Sequence, residues 1–139
     1  MTDELIHKIF SETKTIACVG ASANPARPSH YVSLFLKELG YRVIGVNPGL
    51  AGQELFGETV YASLSDIPKD ISIDMIDIFR RSENLPDIVD EAIVALPALK
   101  TIWAQLGVAH DGAAKTARDA GLQVIQNRCP KIEYPRLMS

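Results

Sequence analysis

The chain has 139 residues, of which 47% are hydrophobic and 22% are charged, and its formal net charge is −3. This length predicts one domain around a single core, and the negative charge argues against bulk electrostatic attraction to nucleic acid or acidic membranes. No apolar run approaches the roughly 18 residues of a membrane span, and the acidic start is unlike a signal peptide, so we expect a cytoplasmic protein with no membrane partner.

The spacing of apolar residues predicts strands that alternate with helices along one domain, 1–139. Pro28 is typical of a helix start, and Gly40 is typical of a residue just after a helix end. The predicted elements are, in order, a leading helix within 1–13, a strand over 15–20, a helix from Pro28 to Gly40, a strand over 42–47, a brief strand around Val60 and Tyr61, a strand over 75–79, a helix around 88–96, a strand over 101–105, a helix over 112–120, a strand over 123–127 and a C-terminal tail, 128–139, packed on the domain.

Near-continuous apolar strands separated by helices indicate a parallel sheet that is covered on both faces. With right-handed crossovers, the expected fold is α/β, a Rossmann-like doubly wound sheet in three layers with strand order 3-2-1-4-5-6. In this order the first and fourth strands are neighbours from which the chain winds in opposite directions. The carboxyl ends of these strands then form a crevice in which ligands bind.

The loop after the first strand, with the sequence GASANPARPS, is the first candidate binding element at this crevice. The Ser22 hydroxyl and the backbone N–H groups of Ala21 and Ser22 can donate to phosphate oxygens, and Arg27 can make a forked contact. The same residues are also common in turns, where Ser22 only shapes the loop and Arg27 is solvated. A diphosphate is the ligand that these donors suit.

Two enzymatic uses of the same crevice are alternatives. A nicotinamide dinucleotide is disfavoured because the loop has one glycine rather than GxGxxG, and because Asn47 and Pro48 stand where an acidic ribose ligand is expected. A hydrolase would use Ser22, with Asp77 and His110 in a permissible chain order. Pro25 and Pro28 lengthen the loop, however, whereas a nucleophile elbow needs a sharp turn.

Over nearly its whole length the chain resembles the small stand-alone CoA-binding proteins, whose domain is similar to the CoA-binding N-terminal domain of succinyl-CoA synthetase alpha subunits. The motifs that carry the resemblance are TIACVGAS with NPARPS, YRVIGVNPGLAGQELFGETVYASLSDIP, DMIDIFRRSE, TIWAQLGV, HDGAAKTARDAGL and NRCPKIEYPRL. The resemblance implies that coenzyme A is the ligand. It also implies the site residues. The phosphates are held by Gly20, Ala21, Ser22, Arg27 and Pro28 of the first loop, and the adenosine is bordered by Val46, Asn47 and Pro48. The crevice is flanked by Phe79, Arg80 and Arg81, and the course of the pantetheine arm is lined by Gln105, Leu106 and Gly107.

The chain departs from that family at one point, because relatives often carry a lysine in the loop that follows the second strand. Here residues 48–52 contain no basic residue, which leaves Arg42 and Arg80 as the cations that could replace the lysine. The synthetases carry their phosphorylated histidine outside this domain, and this chain ends where the domain ends. We therefore expect binding of CoA or a short acyl-CoA without catalysis, or an interaction module that senses CoA and binds a protein partner through its tail.

Four other residues are candidates for chemistry. Trp103 could stack on an adenine, but a parallel strand favours packing of its ring in the core. His110 and Asp111 precede a predicted helix, and Asp111 is the expected N-cap. Cys129 could be a reactive thiol if its pKa were depressed. The scattered histidines and two cysteines have no metal-ligand spacing, so no metal site is predicted.

Overall fold

The structure is a computed structural model that describes residues 2–138; position 1 of the predicted leading helix and position 139 of the predicted tail lie outside the described residues. Helices and short strands alternate along the described chain. The helices are α1 (Thr2–Glu12), α2 (Pro28–Glu38), α3 (Leu85–Ala95), α4 (Asp111–Asp119) and α5 (Pro130–Met138), and the strands are β1 (Thr15–Val19), β2 (Arg42–Val46), β3 (Glu54–Leu55), β4 (Glu58–Thr59), β5 (Met75–Ile78), β6 (Thr101–Ala104) and β7 (Gln123–Ile125).

The β1–α2–β2 unit forms as the sequence predicts. Pro28 is the first residue of α2, where its fixed φ suits the helix and its missing N–H needs no partner. After α2 the chain reverses at Gly40, whose φ of 107° is one that glycine adopts without strain. Its N–H donates to the carbonyl of Lys37. This unit places the loop 20–27 beside the carboxyl end of β2.

The main sheet is parallel and has five strands in the order β2-β1-β5-β6-β7. The Rossmann-like α/β fold is confirmed, but the strand order differs from the prediction in one detail. The predicted third strand, around Val60 and Tyr61, is absent from the sheet, and a single parallel bridge between Tyr61 and Val46 stands in its place. The preceding residues instead pair locally as the antiparallel hairpin of β3 and β4.

Two hydrophobic clusters cover the two faces of the sheet, because successive residues of each strand point to opposite sides. On one face, α3 and α4 pack over residues such as Ile76 and Ile102. On the other face, α1, α2 and α5 pack over Ile16, Met75 and Trp103. The result is the three-layer arrangement that the apolar strands predict. No helix in the described part of the chain has both the length and the apolar character that a membrane span requires.

Trp103 belongs to the core, as favoured from the sequence. Its side chain is fully buried, its indole N–H donates to the carbonyl of Arg128 at 2.8 Å, and its ring centroid lies 5.3 Å from that of Phe10. This hydrogen bond ties the segment before α5 to the centre of the sheet. The ring therefore cannot stack on a ligand in the crevice.

The residues after 128 form a helix, α5, that packs against α1 and α2. Lys131 and Glu133 lie close together in α5 but have different partners. Glu133 is buried and accepts hydrogen bonds from Arg128 at 3.1 Å and Arg136 at 2.6 Å, and Arg136 also contacts Asp3 at 2.8 Å. Lys131 instead lies over the ring of Phe35. These contacts fasten the first and last helices to each other.

Candidate functional site

An open cleft of about 980 Å³ lies at the carboxyl ends of β1, β2, β5 and β6. This is the position at which open α/β sheets bind ligands, beside the strands where the winding direction reverses. The cleft is lined by Gly20, Ala21, Ser22, Ala23, Asn24, Arg27, Pro28, Ser29, Tyr31, Val32, Asn47, Gly49, Leu50, Phe79, Arg80, Arg81, Gln105, Leu106, Val108 and Cys129.

Gly20 allows the first loop to approach the neighbouring strand closely. Its φ is +90°, and a Cβ at this position would lie 2.6 Å from the carbonyl oxygen of Phe79. The same Cβ would lie 3.4 Å from Nε of Arg80, so the arginine side chain passes directly over the glycine. A side chain at position 20 would separate the two loops that form this end of the cleft.

Side-chain hydrogen bonds hold the loop that follows Gly20. Within the loop, Ser22 Oγ accepts the N–H of Asn24 at 3.0 Å, and Asn24 Oδ1 accepts the N–H of Ala26 at 3.0 Å. From outside, His30 Nδ1 donates to the carbonyl of Ser22 at 2.7 Å, and Asn47 Nδ2 donates to the carbonyl of Ala21 at 2.7 Å. The loop is therefore fixed in one conformation by its own sequence and by two neighbours.

Not every N–H group of this loop is available to a ligand. The expectation that Ala21 donates its N–H to a phosphate is not supported, because that N–H is directed to the carbonyl of Val46 at 3.3 Å. The N–H groups of Ser22, Ala23 and Ser29 have no acceptor within residues 2–138, and all three residues line the cleft. Unpaired N–H groups at a helix start form a favourable environment for an anion.

The cleft is positively charged although the chain carries net negative charge. Its lining contains Arg27, Arg80 and Arg81, and no lining residue is an aspartate or a glutamate. Among the described residues, Arg27 and Arg80 form no ion pair, whereas Arg81 has a long contact of 3.7 Å with Glu83. Arg42 is held away from the cleft in a two-point contact with Glu58 at 2.6 and 3.0 Å. Of the two cations considered as replacements for the family's lysine, only Arg80 therefore lines the cleft.

A buried polar pair lies beneath the cleft between β5 and β6. Gln105, which lines the cleft, donates from Nε2 to Oδ1 of Asp77 at 2.9 Å. Asp77 is fully buried, and its Oδ2 has no partner among the described residues. Burial raises the pKa of Asp77 to about 7, and the hydrogen bond from Gln105 offsets only part of that effect.

Cys129 lines the cleft, but its environment does not favour a thiolate. Burial raises the pKa of the Cys129 thiol, although the backbone N–H groups of Lys131 and Ile132 act in the opposite direction. Cys18, in the centre of β1, is fully buried, and burial raises the pKa of its thiol as well. The depressed pKa that a reactive cysteine requires is absent at both positions.

All but three of the predicted site residues line this one cleft. The exceptions are Val46, which is buried in the core, together with Pro48 and Gly107. That these residues contact a ligand stays a prediction. Tyr31, Leu50 and several other lining residues were not predicted from the sequence. The position of Tyr31 in the first turn of α2, beside a predicted ligand loop, was the one available signal for it.

The residues of the hydrolase alternative each have a different partner. Ser22 Oγ accepts from Asn24, Asp77 is bonded to Gln105, and His110 Nδ1 accepts the N–H of Ala113 at 3.0 Å. His110 is thus the N-cap of α4, whereas Asp111 was the N-cap expected from the sequence. Three residues engaged in this way do not form a nucleophile, base and acid arrangement.

The fold and the cleft define a Rossmann-like domain with an arginine-lined cleft at the carboxyl ends of its strands. The family described as "CoA binding domain" matches residues 14–135, and the chain belongs to this family. The uncharacterized protein YneT of Bacillus subtilis is 36% identical over 129 residues, which cover 93% of this chain and 91% of YneT.

Solved structures agree with this assignment. A protein from Thermus thermophilus, solved as cell-free ID.343, is 39% identical, with a TM-score of 0.91 and coverage of 99% of this chain and 100% of that one. The dinucleotide-forming acetyl-coenzyme A synthetase 1 of Ca. Korarchaeum cryptofilum is 23% identical, with a TM-score of 0.68. The match covers 82% of this chain but 26% of the synthetase, so it supports the shared fold alone.

Proposed function

We propose that this protein binds coenzyme A or a short acyl-CoA in the cleft and catalyses no reaction of its own. The observation that carries the proposal is the cleft lining, which combines three arginines with unpaired loop N–H groups and contains no carboxylate. Coenzyme A has a diphosphate and a further phosphate, and such groups are bound well by arginine and by N–H groups at a helix start. Membership of the CoA-binding domain family supports the same ligand.

The proposal assigns a different part of the ligand to each segment of the lining. Ser22, Ala23 and Ser29 donate to the diphosphate, and Arg27 and Arg80 contribute positive charge. The loop after β2 borders the adenosine. Leu106 is 57% exposed at the other end of the cleft and offers an apolar surface to the pantetheine arm. Val108 extends this apolar surface, which suits a short acyl group.

A thermal-unfolding experiment tests the proposal. A ligand that binds only the folded state at 100 times its dissociation constant adds about 2.7 kcal/mol of stability. We expect CoA to raise the unfolding midpoint by several degrees, as about 3 kcal/mol does for a domain of this size. NAD at the same concentration serves as the comparison ligand. No shift with CoA or acetyl-CoA, or a shift with NAD alone, would contradict the proposal.

The contribution of Arg27 can be measured separately. We expect Arg27→Ala to weaken CoA binding about tenfold, because a charge-assisted contact to a phosphate in an open cleft is lost. The measurement is isothermal titration calorimetry at fixed salt concentration. Arg118→Ala is the matched control, since it removes the same charge from an exposed position in α4 that does not line the cleft. Equal weakening in both variants would mean that net charge, not Arg27, determines affinity.

A further inference from the structure

When Asp77 is ionised, its buried pair with Gln105 has a fixed polarity. A carboxylate only accepts hydrogen bonds, so the amide nitrogen of Gln105 must face Asp77. The observed bond from Nε2 to Oδ1, at 2.9 Å, has this orientation. Turning the amide around would bring the oxygen Oε1 against a carboxylate oxygen at the same distance. The carboxylate therefore determines which end of the Gln105 amide remains for other partners.

The remaining end of the amide is the carbonyl oxygen. Gln105 is only 6% exposed, it lines the cleft, and its Oε1 accepts no hydrogen bond from residues 2–138. A ligand that occupies this part of the cleft would remove the oxygen from water. An acceptor that is covered without receiving a donor weakens binding, and sites of this kind discriminate strongly in favour of ligands that supply the donor.

We infer that Oε1 of Gln105, oriented by Asp77, accepts a hydrogen bond from a secondary amide N–H in the arm of the ligand. This inference rests on the proposed function, since the pantetheine arm of CoA contains two such amides. The arm has two other donors. One is the thiol, whose S–H is weak, and the other is a hydroxyl at the end that adjoins the diphosphate, which the proposed function places at the loop after β1 rather than at Gln105. Gln105 is then a specificity residue, and Asp77 is a positioning residue that acts through it.

The first test compares CoA with 3′-phosphoadenosine 5′-diphosphate, which keeps the phosphates and adenosine but lacks the arm. Calorimetry at pH 8 keeps Asp77 largely ionised. We expect Gln105→Met to bind CoA about tenfold more weakly, the loss typical of one hydrogen bond to a covered acceptor. The same variant should bind the nucleotide with unchanged affinity. Gln53→Met, at an exposed position outside the cleft, is the matched control and should match the original chain with both ligands.

The outcomes separate the inference from the proposed function. If the unaltered chain binds neither ligand, the proposed function fails and the inference fails with it. If the chain binds both ligands and Gln105→Met keeps its full affinity for CoA, only the inference is overturned. Acetyl-CoA has no S–H but retains both amides, so Gln105→Met should weaken its binding by the same factor. A loss seen with CoA but not with acetyl-CoA would identify the thiol as the donor and overturn the assignment to an amide.

The positioning role of Asp77 has its own readout. Asp77→Leu should weaken CoA binding several-fold and leave nucleotide binding unchanged, because Gln105 loses its orienting partner. Asp77→Asn should bind CoA with nearly the affinity of the original chain, since the side-chain oxygen of the asparagine can still accept from Gln105. The double variant Asp77→Leu/Gln105→Met should bind CoA no more weakly than Gln105→Met alone. If the two losses multiply instead, Asp77 does not act through Gln105.

Discussion

Gly20→Ala is expected to destabilise the protein by about 2 to 4 kcal/mol, which combines roughly 1–2 kcal/mol for an L residue at positive φ with a similar amount for backbone displacement. The displacement is unavoidable because a Cβ would lie 2.6 Å from the Phe79 carbonyl oxygen, and that atom belongs to the backbone rather than to a flexible side chain. Urea unfolding monitored by Trp103 fluorescence measures the change. The loops on either side of Gly20 also form the cleft, so CoA binding should weaken in the folded fraction.

Gly121→Ala is the matched control for this experiment. Its φ is +87°, close to that of Gly20, but no atom lies within 4 Å of the position that a Cβ would take. The substitution therefore isolates the conformational effect, which we expect to be roughly 1–2 kcal/mol. A loss in Gly20→Ala no larger than that in Gly121→Ala would show that the close approach to Phe79 has no energetic consequence.

The second large effect is a dependence of stability on pH that originates at Asp77. The pKa of this carboxyl is about 7 in the folded protein, against an ordinary value of 3.8 for an exposed aspartate. Between these values the folded state keeps a proton that the unfolded state releases. The stabilisation is therefore complete below pH 4, and it is lost as the pH rises towards 7. From pH 5 to pH 8 the loss amounts to about 3 kcal/mol, since each unit of pKa difference corresponds to about 1.4 kcal/mol.

Asp77→Asn should abolish this contribution because an amide does not titrate. The free energy of unfolding of the variant, relative to the original chain, should increase by about 3 kcal/mol between pH 5 and pH 8. Denaturant titrations at four pH values within this range measure the difference. Glu58→Gln is the control: contact with Arg42 lowers the pKa of Glu58, so its contribution is lost only in more acidic solution. A constant difference for Asp77→Asn across the range would show that Asp77 is ionised in the folded protein throughout.

The sequence predicted the β1–α2–β2 unit to within one or two residues because local signals agree there. Apolar strands, Pro28 at the helix start and Gly40 after its end all indicate the same boundaries. The prediction failed at Val60 and Tyr61, where the β-branched and aromatic residues suited a strand. Hydrogen bonds from Val60 to Gln53 and from Gly52 to Val60 instead form a local turn structure. Competition between local and sheet pairing cannot be judged from the residue types alone.

The helix α5 was predicted only as a tail because its support is tertiary. Pro135 lies inside the helix, which its residue pattern alone does not favour. Its stability comes from distant partners, such as the edge contact of Tyr134 with Phe10 and the ion pair of Arg136 with Asp3. Contacts of this kind join residues more than 100 positions apart and leave no local trace in the sequence.

The candidate site was predicted in part for the same reason. Residues of the loop after β1 were identified because glycine, serine and arginine near a strand end suggest an anion site. The role of Asp77 was not identified, since its partner Gln105 is 28 positions away and meets it only when β5 and β6 pair. The N–H of Ala21 was misassigned because its acceptor, the Val46 carbonyl, likewise belongs to a separate strand.

The hydrogen bonds that hold the loop 20–27 have a thermodynamic consequence for any ligand of the cleft. Because the loop already has its shape, association requires little ordering of the receptor, and the entropy lost on binding falls mainly on the ligand. A rigid nucleotide loses little of this entropy, whereas a long flexible arm must give up many rotatable bonds. The nucleotide portion should therefore contribute more affinity per atom than the arm, and the arm should serve chiefly for discrimination between ligands.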